Sequence, residues 1–173
     1  MKYWLKGLIS LLLFLCTNNA FGQTENAIYF ELLGNGGPYS LNYEKNLSEK
    51  LIARVGFGYW KQNPKYPMTV GNIYETEKYR VFYTPVLIAY TIGMSKHFFE
   101  IGSGFLIGHE SYIAARKTQV IVNMTGFAGY RYEAERGFLL KFGITPHYVI
   151  SPEENALINT FWYSGGLSLG YHF

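Results

Sequence analysis

The stretch that decides the fold is the C-terminal FWYSGGLSLGYHF, Phe161 to Phe173. Phe161, Tyr163, Gly165, Leu167, Leu169, Tyr171 and Phe173 fall on one side of an extended chain, and Trp162, Ser164, Gly166, Ser168, Gly170 and His172 on the other. An apolar face that ends on an aromatic, backed by Ser, Gly and His, suits a wall between lipid and a packed polar interior. The segment therefore reads as the closing strand of a transmembrane β-barrel.

Working outward from it, period-two alternation bounded by turn residues recurs along the chain. The predicted strands run Ala27 to Gly34, Pro38 to Lys45, Leu51 to Trp60, Tyr79 to Gly93, His97 to Gly108, Gln119 to Tyr132, Gly137 to Tyr148 and Asn159 to Phe173. Most approach the roughly ten residues that a tilted strand needs to cross a bilayer, and their number is even. The expected fold is all-β, an eight-stranded antiparallel up-and-down transmembrane barrel.

The connections support the same topology. Asn46 to Lys50, Met94 to Lys96 and Glu133 to Arg136 are short and polar, as periplasmic turns are when both termini lie inside. Asn35 to Gly37, Lys61 to Lys78, His109 to Thr118 and Val149 to Ile158 then lie outside the cell, and all but the first are longer. The run from Gly34 to Gly37 precedes a strand and not a helix, so it reads as a hairpin turn needing positive φ, not as a phosphate loop. Pro85 and Pro146 fall inside strands of a sheet with no free edge, and are expected at bulges or near the extracellular ends.

The two faces differ in kind. Outward positions such as Ile28, Phe30, Leu41, Phe57, Val86, Ile88, Phe105, Met124 and Phe142 read as lipid-facing, with aromatics gathered at strand ends as interfacial girdles. Inward positions hold Glu31, Glu44, Arg54, Glu100, Arg131 and Lys141 among many glycines. Glu44 and Arg54, and likewise Glu100 and Arg131, sit near the same ends of adjacent strands, so cross-strand ion pairs are available. An unpaired buried charge costs several kcal/mol, so these six residues are expected to form a connected network. Side chains just fill an eight-stranded barrel, which predicts a plugged lumen and not a solute channel.

Residues 1–22 read as a cleaved secretory signal. Lys2 and Lys6 precede the apolar run Gly7 to Cys16, and small residues Ala20 and Gly22 stand where a signal peptidase cuts, so Gln23 begins the mature domain, 23–173. The apolar run is about ten residues, half of what a spanning helix needs. Lipid attachment at Cys16 is the alternative, disfavoured by the large Leu15 before it. Export removes the only Cys and leaves a chain close to neutral, which predicts no disulfide and no nucleic-acid partner. Asp is absent from the sequence, which excludes schemes built on that residue. The four His have no ligand spacing, so no metal or cofactor is expected.

The chain resembles the small outer-membrane β-barrel proteins of Gram-negative bacteria. The stretches that carry the resemblance are YFELLGNGGPYSLNYEK at Tyr29 to Lys45, RVGFGYW at Arg54 to Trp60, TGFAGYRY at Thr125 to Tyr132, FGITP at Phe142 to Pro146 and GLSLGYHF at Gly166 to Phe173. The resemblance implies location in the outer membrane, with lipid and lipopolysaccharide as surroundings. It also implies that Tyr171 and Phe173 form the signal read by the outer-membrane assembly machinery. It leaves open a structural or loop-mediated binding role, with an extracellular ligand unknown, or a narrow pore. One group of outer-membrane lipid A deacylases uses a His-x-Ser pair on the outer wall, and His109, Glu110, Ser111 is similar over those three residues. The enzymatic alternative thus rests on His109 and Ser111 as catalytic residues; the simpler reading is the polar start of an exposed loop.

Overall fold

The computed structural model describes residues 26–62, 68–70, 73–75, 79–112, 117–135, 137–150 and 161–173. The signal segment 1–22, the start of the mature chain at Gln23, Cys16 and the connecting residues 63–67, 113–116 and 151–160 lie outside them. The strands are β1 (Asn26–Leu32), β2 (Tyr39–Asn46), β3 (Leu51–Gln62), β4 (Met68–Val70), β5 (Ile73–Glu75), β6 (Tyr79–Met94), β7 (His97–Tyr112), β8 (Lys117–Glu133), β9 (Phe138–Val149) and β10 (Phe161–His172). Eight of them close an antiparallel barrel in the order β1-β10-β9-β8-β7-β6-β3-β2, and β4 and β5 form a separate hairpin within the connection from β3 to β6.

Closure is made by the two ends of the chain. β1 pairs with β10 from Ala27 opposite His172 to Leu32 opposite Leu167, and Asn26 and Phe173 exchange backbone hydrogen bonds of 2.8 and 2.7 Å. Among the described residues the barrel sheet has no free edge, as a wall in lipid requires. The alternation predicted for β10 holds from Tyr163 onward: the odd positions to Tyr171 are exposed and Gly166 and Ser168 are buried, while at the mouth Trp162 is exposed together with Phe161 and Tyr163. Outward positions carry large apolar side chains around the wall, Leu41, Phe57, Ile92, Ile101 and Ile144 among them. The interior is the reverse of a globular core. Among the described residues a cluster of buried apolar residues, Ala27, Tyr29 and Leu139, is set among buried Glu, Arg, Lys, Asn, Ser and Thr.

Three features depart from the sequence reading. β7 and β8 continue their ladder to Tyr112 opposite Lys117, so most of the span from His109 to Thr118 is paired strand and not loop. Alternation reports where lipid ends, whereas backbone pairing continues beyond it. Next, neither proline makes a bulge; Pro146 does stand near the outer end of β9, the other place expected for it, whereas Pro85 stands well inside β6. The β3–β6 register is the same on both sides of Pro85, and the β8–β9 register on both sides of Pro146, with pairing merely interrupted where each lacks its amide. A glycine faces each ring: a Cβ on Gly56 would lie 2.9 Å from Pro85 Cγ, and one on Gly126 would lie 3.3 Å from Pro146 Cγ.

The third departure is the β1–β2 turn. It has positive φ at Leu33 (56°) and Gly37 (89°), but Gly34, Asn35 and Gly36 are buried, because the turn bends into the barrel instead of standing on its rim.

Because Gly56 is pressed between Asn42 and Pro85, Gly56→Val is expected to destabilise the folded barrel by about 1–3 kcal/mol. The check is the midpoint of urea unfolding in detergent micelles; an unchanged midpoint would show that the wall has slack there.

Candidate functional site

Period-two geometry sends Glu44 of β2, Arg54 of β3, Glu100 of β7, Arg131 of β8 and Lys141 of β9 into the lumen, where each is almost wholly buried. The adjacent strands β2 and β3 place Glu44 directly opposite Arg54. Arg54 Nε donates to Glu44 Oε1 at 2.9 Å, and its Nη2 lies 2.8 Å from the same oxygen. The other Glu is reached as well, through a contact between Arg54 Nη2 and Glu100 Oε1.

The remaining cations bridge the barrel. β2 and β8 stand on opposite sides of the closed wall, yet Arg131 Nη1 donates to Glu44 Oε2 at 2.5 Å and to Glu100 Oε2 at 3.1 Å. Lys141 Nζ donates to Glu44 Oε1 at 2.7 Å and to Glu100 Oε1 at 3.0 Å. Both carboxylates are therefore shared by all three cations. The surplus positive charge is met at the margin, where Arg131 Nε donates to Glu133 Oε1 at 2.6 Å.

Two rings complete the packing. Tyr29 and Phe127, inward-facing on β1 and β8, both lie against the cations: Lys141 Nζ is 4.7 and 5.1 Å from their centroids, and the Arg54 guanidinium carbon 5.6 and 5.5 Å. In a desolvated site such contacts contribute roughly 2 kcal/mol each.

Glu31 stands apart from this cluster. Among the described residues it makes no ion pair; its Oε2 accepts from the Asn35 amide at 3.0 Å, and its Oε1 has no hydrogen-bond partner. Its use is to hold the inward turn. Asn35 then crosses the lumen, its Nδ2 donating to Thr125 Oγ1 and to the Gly126 carbonyl, both at 2.7 Å, and its Oδ1 accepting from Arg54 Nη1 at 3.4 Å. The turn forms a second polar layer over the charged one. Above it, at the end away from the termini, is a half-open cavity of about 300 Å³ bordered by Trp60, Tyr83, Leu106 and Trp162, with Gly34 and Gly37 among its lining.

The sequence reading missed Asn35, Tyr29, Phe127 and Glu133. Parity alone would have found the last three, since each shares a face with a predicted charge.

His109 and Ser111 are brought side by side on the outer wall, at the same end as the cavity. His109 is exposed between Phe82 and Val120, and Ser111 lies between Arg80 and Thr118. Glu110, the carboxylate closest in sequence, belongs to the opposite face and accepts from Gln119 Nε2 at 2.9 Å. A catalytic His needs an orienting partner, and Glu110 is not placed to supply it. Tyr171 and Phe173 both face outward at the closing seam. Among the described residues no group of three or more His, Cys, Asp or Glu could hold a metal ion.

No family model matches the chain, and no curated protein sequence matches it. Solved structures do. The N-terminal β-barrel domain of Pseudomonas aeruginosa OprF superposes with a TM-score of 0.57 at 13% identity, covering 87% of this chain and 96% of that one. Neisserial surface protein A superposes with a TM-score of 0.54 at 14% identity, covering 86% and 92%. The fold is that of the small eight-stranded outer-membrane β-barrels. In this outer-membrane-type barrel the interior is occupied by an ionic layer under an inward turn.

Removing one member of a buried ion cluster leaves its partners uncompensated and costs about 3–5 kcal/mol. Glu100→Gln, which strands three cations on Glu44, is expected to lower barrel stability by that amount in urea titration. Asn35→Ala is expected to cost less, about 1–3 kcal/mol. Equal stability of Glu100→Gln and wild type would show that the cluster is not coupled.

Proposed function

We propose that the mature chain is an integral protein of the bacterial outer membrane with a closed lumen, whose role is structural or binding and is exercised at the face that carries the longer connections. The observation that supports the membrane reading most directly is the outer wall. Its outward positions from the level of Tyr43 and Tyr90 to that of Tyr59 and Phe82 hold apolar, aromatic, Gly, Ser or Thr residues, with His109 at the upper margin beside Phe82, and no Lys, Arg or Glu. A continuous apolar belt on a closed barrel is far larger than the few hundred Å² that a soluble monomer exposes, and it matches the lipid-facing band of barrel proteins. Its proposed orientation is supported by Asn26 and Phe173, which lie together at the end of the barrel that carries the turns Asn46 to Lys50, Met94 to Lys96 and Glu133 to Arg136, read as the periplasmic side.

The closed lumen rests on the cross-barrel contacts of Glu44, Glu100, Arg54, Arg131 and Lys141 and on the Asn35 turn above them. Moving solute past two bonded layers would require breaking several buried charge-assisted hydrogen bonds at once. The non-enzymatic reading rests on Glu110, the carboxylate next to His109 and Ser111 in sequence, facing away from them, and on no other carboxylate bonding to either among the described residues. A ligand of the outer face would meet the mouth cavity and its two tryptophans, since apolar concave sites with a few polar groups favour binding.

The direct test is fractionation of a tagged protein: recovery with the outer membrane is expected, and recovery in the soluble periplasm would end the reading. Deletion of Phe173 removes both the seam bonds to Asn26 and the terminal aromatic. It is expected to cut the amount of assembled barrel several-fold, by loss of the closing contact. Mass spectrometry of lipid A from cells with and without the protein, and with Ser111→Ala, is expected to show one acylation pattern. Loss of an acyl chain dependent on both His109 and Ser111 would establish the deacylase alternative.

A further inference from the structure

Just above the uncharged belt, at the end bearing the mouth cavity, two cations are set directly against each other on the outside of the wall. Lys61 of β3 is the register partner of Arg80 of β6, and both are exposed. Like charges directly opposed on neighbouring strands destabilise a sheet, so the arrangement calls for an anion. Among the described residues neither side chain makes an ion pair or a hydrogen bond, and the carboxylate closest to Arg80 in the ladder, Glu110, faces the other way and holds Gln119. The opposite end of the barrel handles an exposed cation differently: there Lys96 Nζ lies 2.8 Å from Glu135 Oε1 in a paired turn. That pairing raises the ammonium's pKa and lowers the carboxyl's. Both charges are thus in place near neutral pH; the pair is lost as pH falls through the lowered carboxyl value or rises through the raised ammonium value.

The surroundings of Lys61 and Arg80 fit one kind of anion. Continuing the same lateral row, Ser111 sits beside Arg80 and Thr118 beside Ser111, which adds hydroxyl donors at the same height. The row beneath, toward the belt, is Tyr59, Phe82 and His109. The Tyr59 and Phe82 rings are 5.0 Å apart, and Phe57 continues the aromatic surface 5.9 Å from Phe82. Cations and hydroxyls above an aromatic slope form an amphipathic surface that takes a phosphate at the top and a hydrocarbon chain below.

We propose that Lys61 and Arg80, with Ser111 beside them, form a binding site on the outer wall for the phosphate of an outer-leaflet glycolipid, whose acyl chains lie along Tyr59, Phe82 and Phe57. The inference rests on the membrane reading and its orientation. Arg takes phosphate oxygens through a fork of N–H donors and Lys adds a point charge, and each basic residue at a membrane surface contributes on the order of 1 kcal/mol toward anionic lipid. Bound phosphate relieves the repulsion between the two cations, so the wall at this point is complete only with its lipid.

The test uses the mature barrel in dodecyl maltoside micelles, with retained lipid counted by native mass spectrometry. The probes are diphosphoryl lipid A, the same lipid after phosphate removal, and inorganic phosphate alone. Lipid A is expected to be retained, with removal of its phosphates weakening retention about tenfold and inorganic phosphate failing to compete at millimolar concentration. Lys61→Gln combined with Arg80→Gln is expected to weaken retention of lipid A by about tenfold or more. Lys50→Gln combined with Lys96→Gln, at the other end, is expected to leave it unchanged. All variants are first checked for barrel formation by their heat-dependent gel mobility. Full retention by the Lys61 and Arg80 variant, equal loss in the control variant, or displacement by inorganic phosphate would overturn the proposal. Failure of the wild-type barrel to enter micelles would overturn the membrane reading beneath it; entry without phosphate preference would overturn this inference alone.

Discussion

The central layer of this barrel depends on the requirement that a charge removed from water meet its counter-charge. Five long charged side chains enter a space too narrow for bulk solvent, and the idealised cost of desolvating each is of order 20 kcal/mol before relaxation. The structure meets that cost by sharing two carboxylates among three cations contributed by β3, β8 and β9. Such sharing is possible only when the wall is closed, since Glu44 and Arg131 come from opposite sides of it. The ionic layer and barrel closure are consequently one cooperative event, and the seam between Asn26 and Phe173 is as much a part of the site as the charges are.

The same requirement explains the small residues. Gly129 and Gly143 face each other in the ladder beside the Phe127 ring, and a Cβ on either would lie 2.9 Å from Phe127 Cζ. Their missing side chains let that ring lie against Lys141 and Arg54. Space conceded along the wall is used by aromatic faces and charged heads in the centre, a division of labour that a uniformly apolar interior would not need.

Much of this was legible in the sequence because a strand's side-chain period is two. Parity alone placed Glu44, Arg54, Glu100, Arg131 and Lys141 inside and the apolar belt outside, and the adjacent pair Glu44 and Arg54 followed from the hairpin joining β2 to β3. Which residues meet across the lumen was not legible, because opposition between β2 and β8 is a property of the closed barrel and of no local segment. Parity also put Glu31 with the other charges, whereas its height in the barrel sets it beside Asn35. The turn from Leu33 to Pro38 announced the positive φ of Gly37 through its glycines but not that of Leu33, and nothing in a turn's composition says whether it folds outward or in. The ends of β7 and β8 were misjudged for a related reason: beyond the bilayer, polar residues such as Ser111 and Thr118 still pair through their backbones.

Closure of the lumen by the two polar layers is the central proposal. Single-channel recording from the purified barrel in planar lipid bilayers addresses that claim most directly. Intact ion pairs between Glu44, Glu100, Arg54, Arg131 and Lys141 predict a silent membrane, without steady porin-like conductance. Reproducible channels of large unitary conductance in the wild-type protein would contradict it.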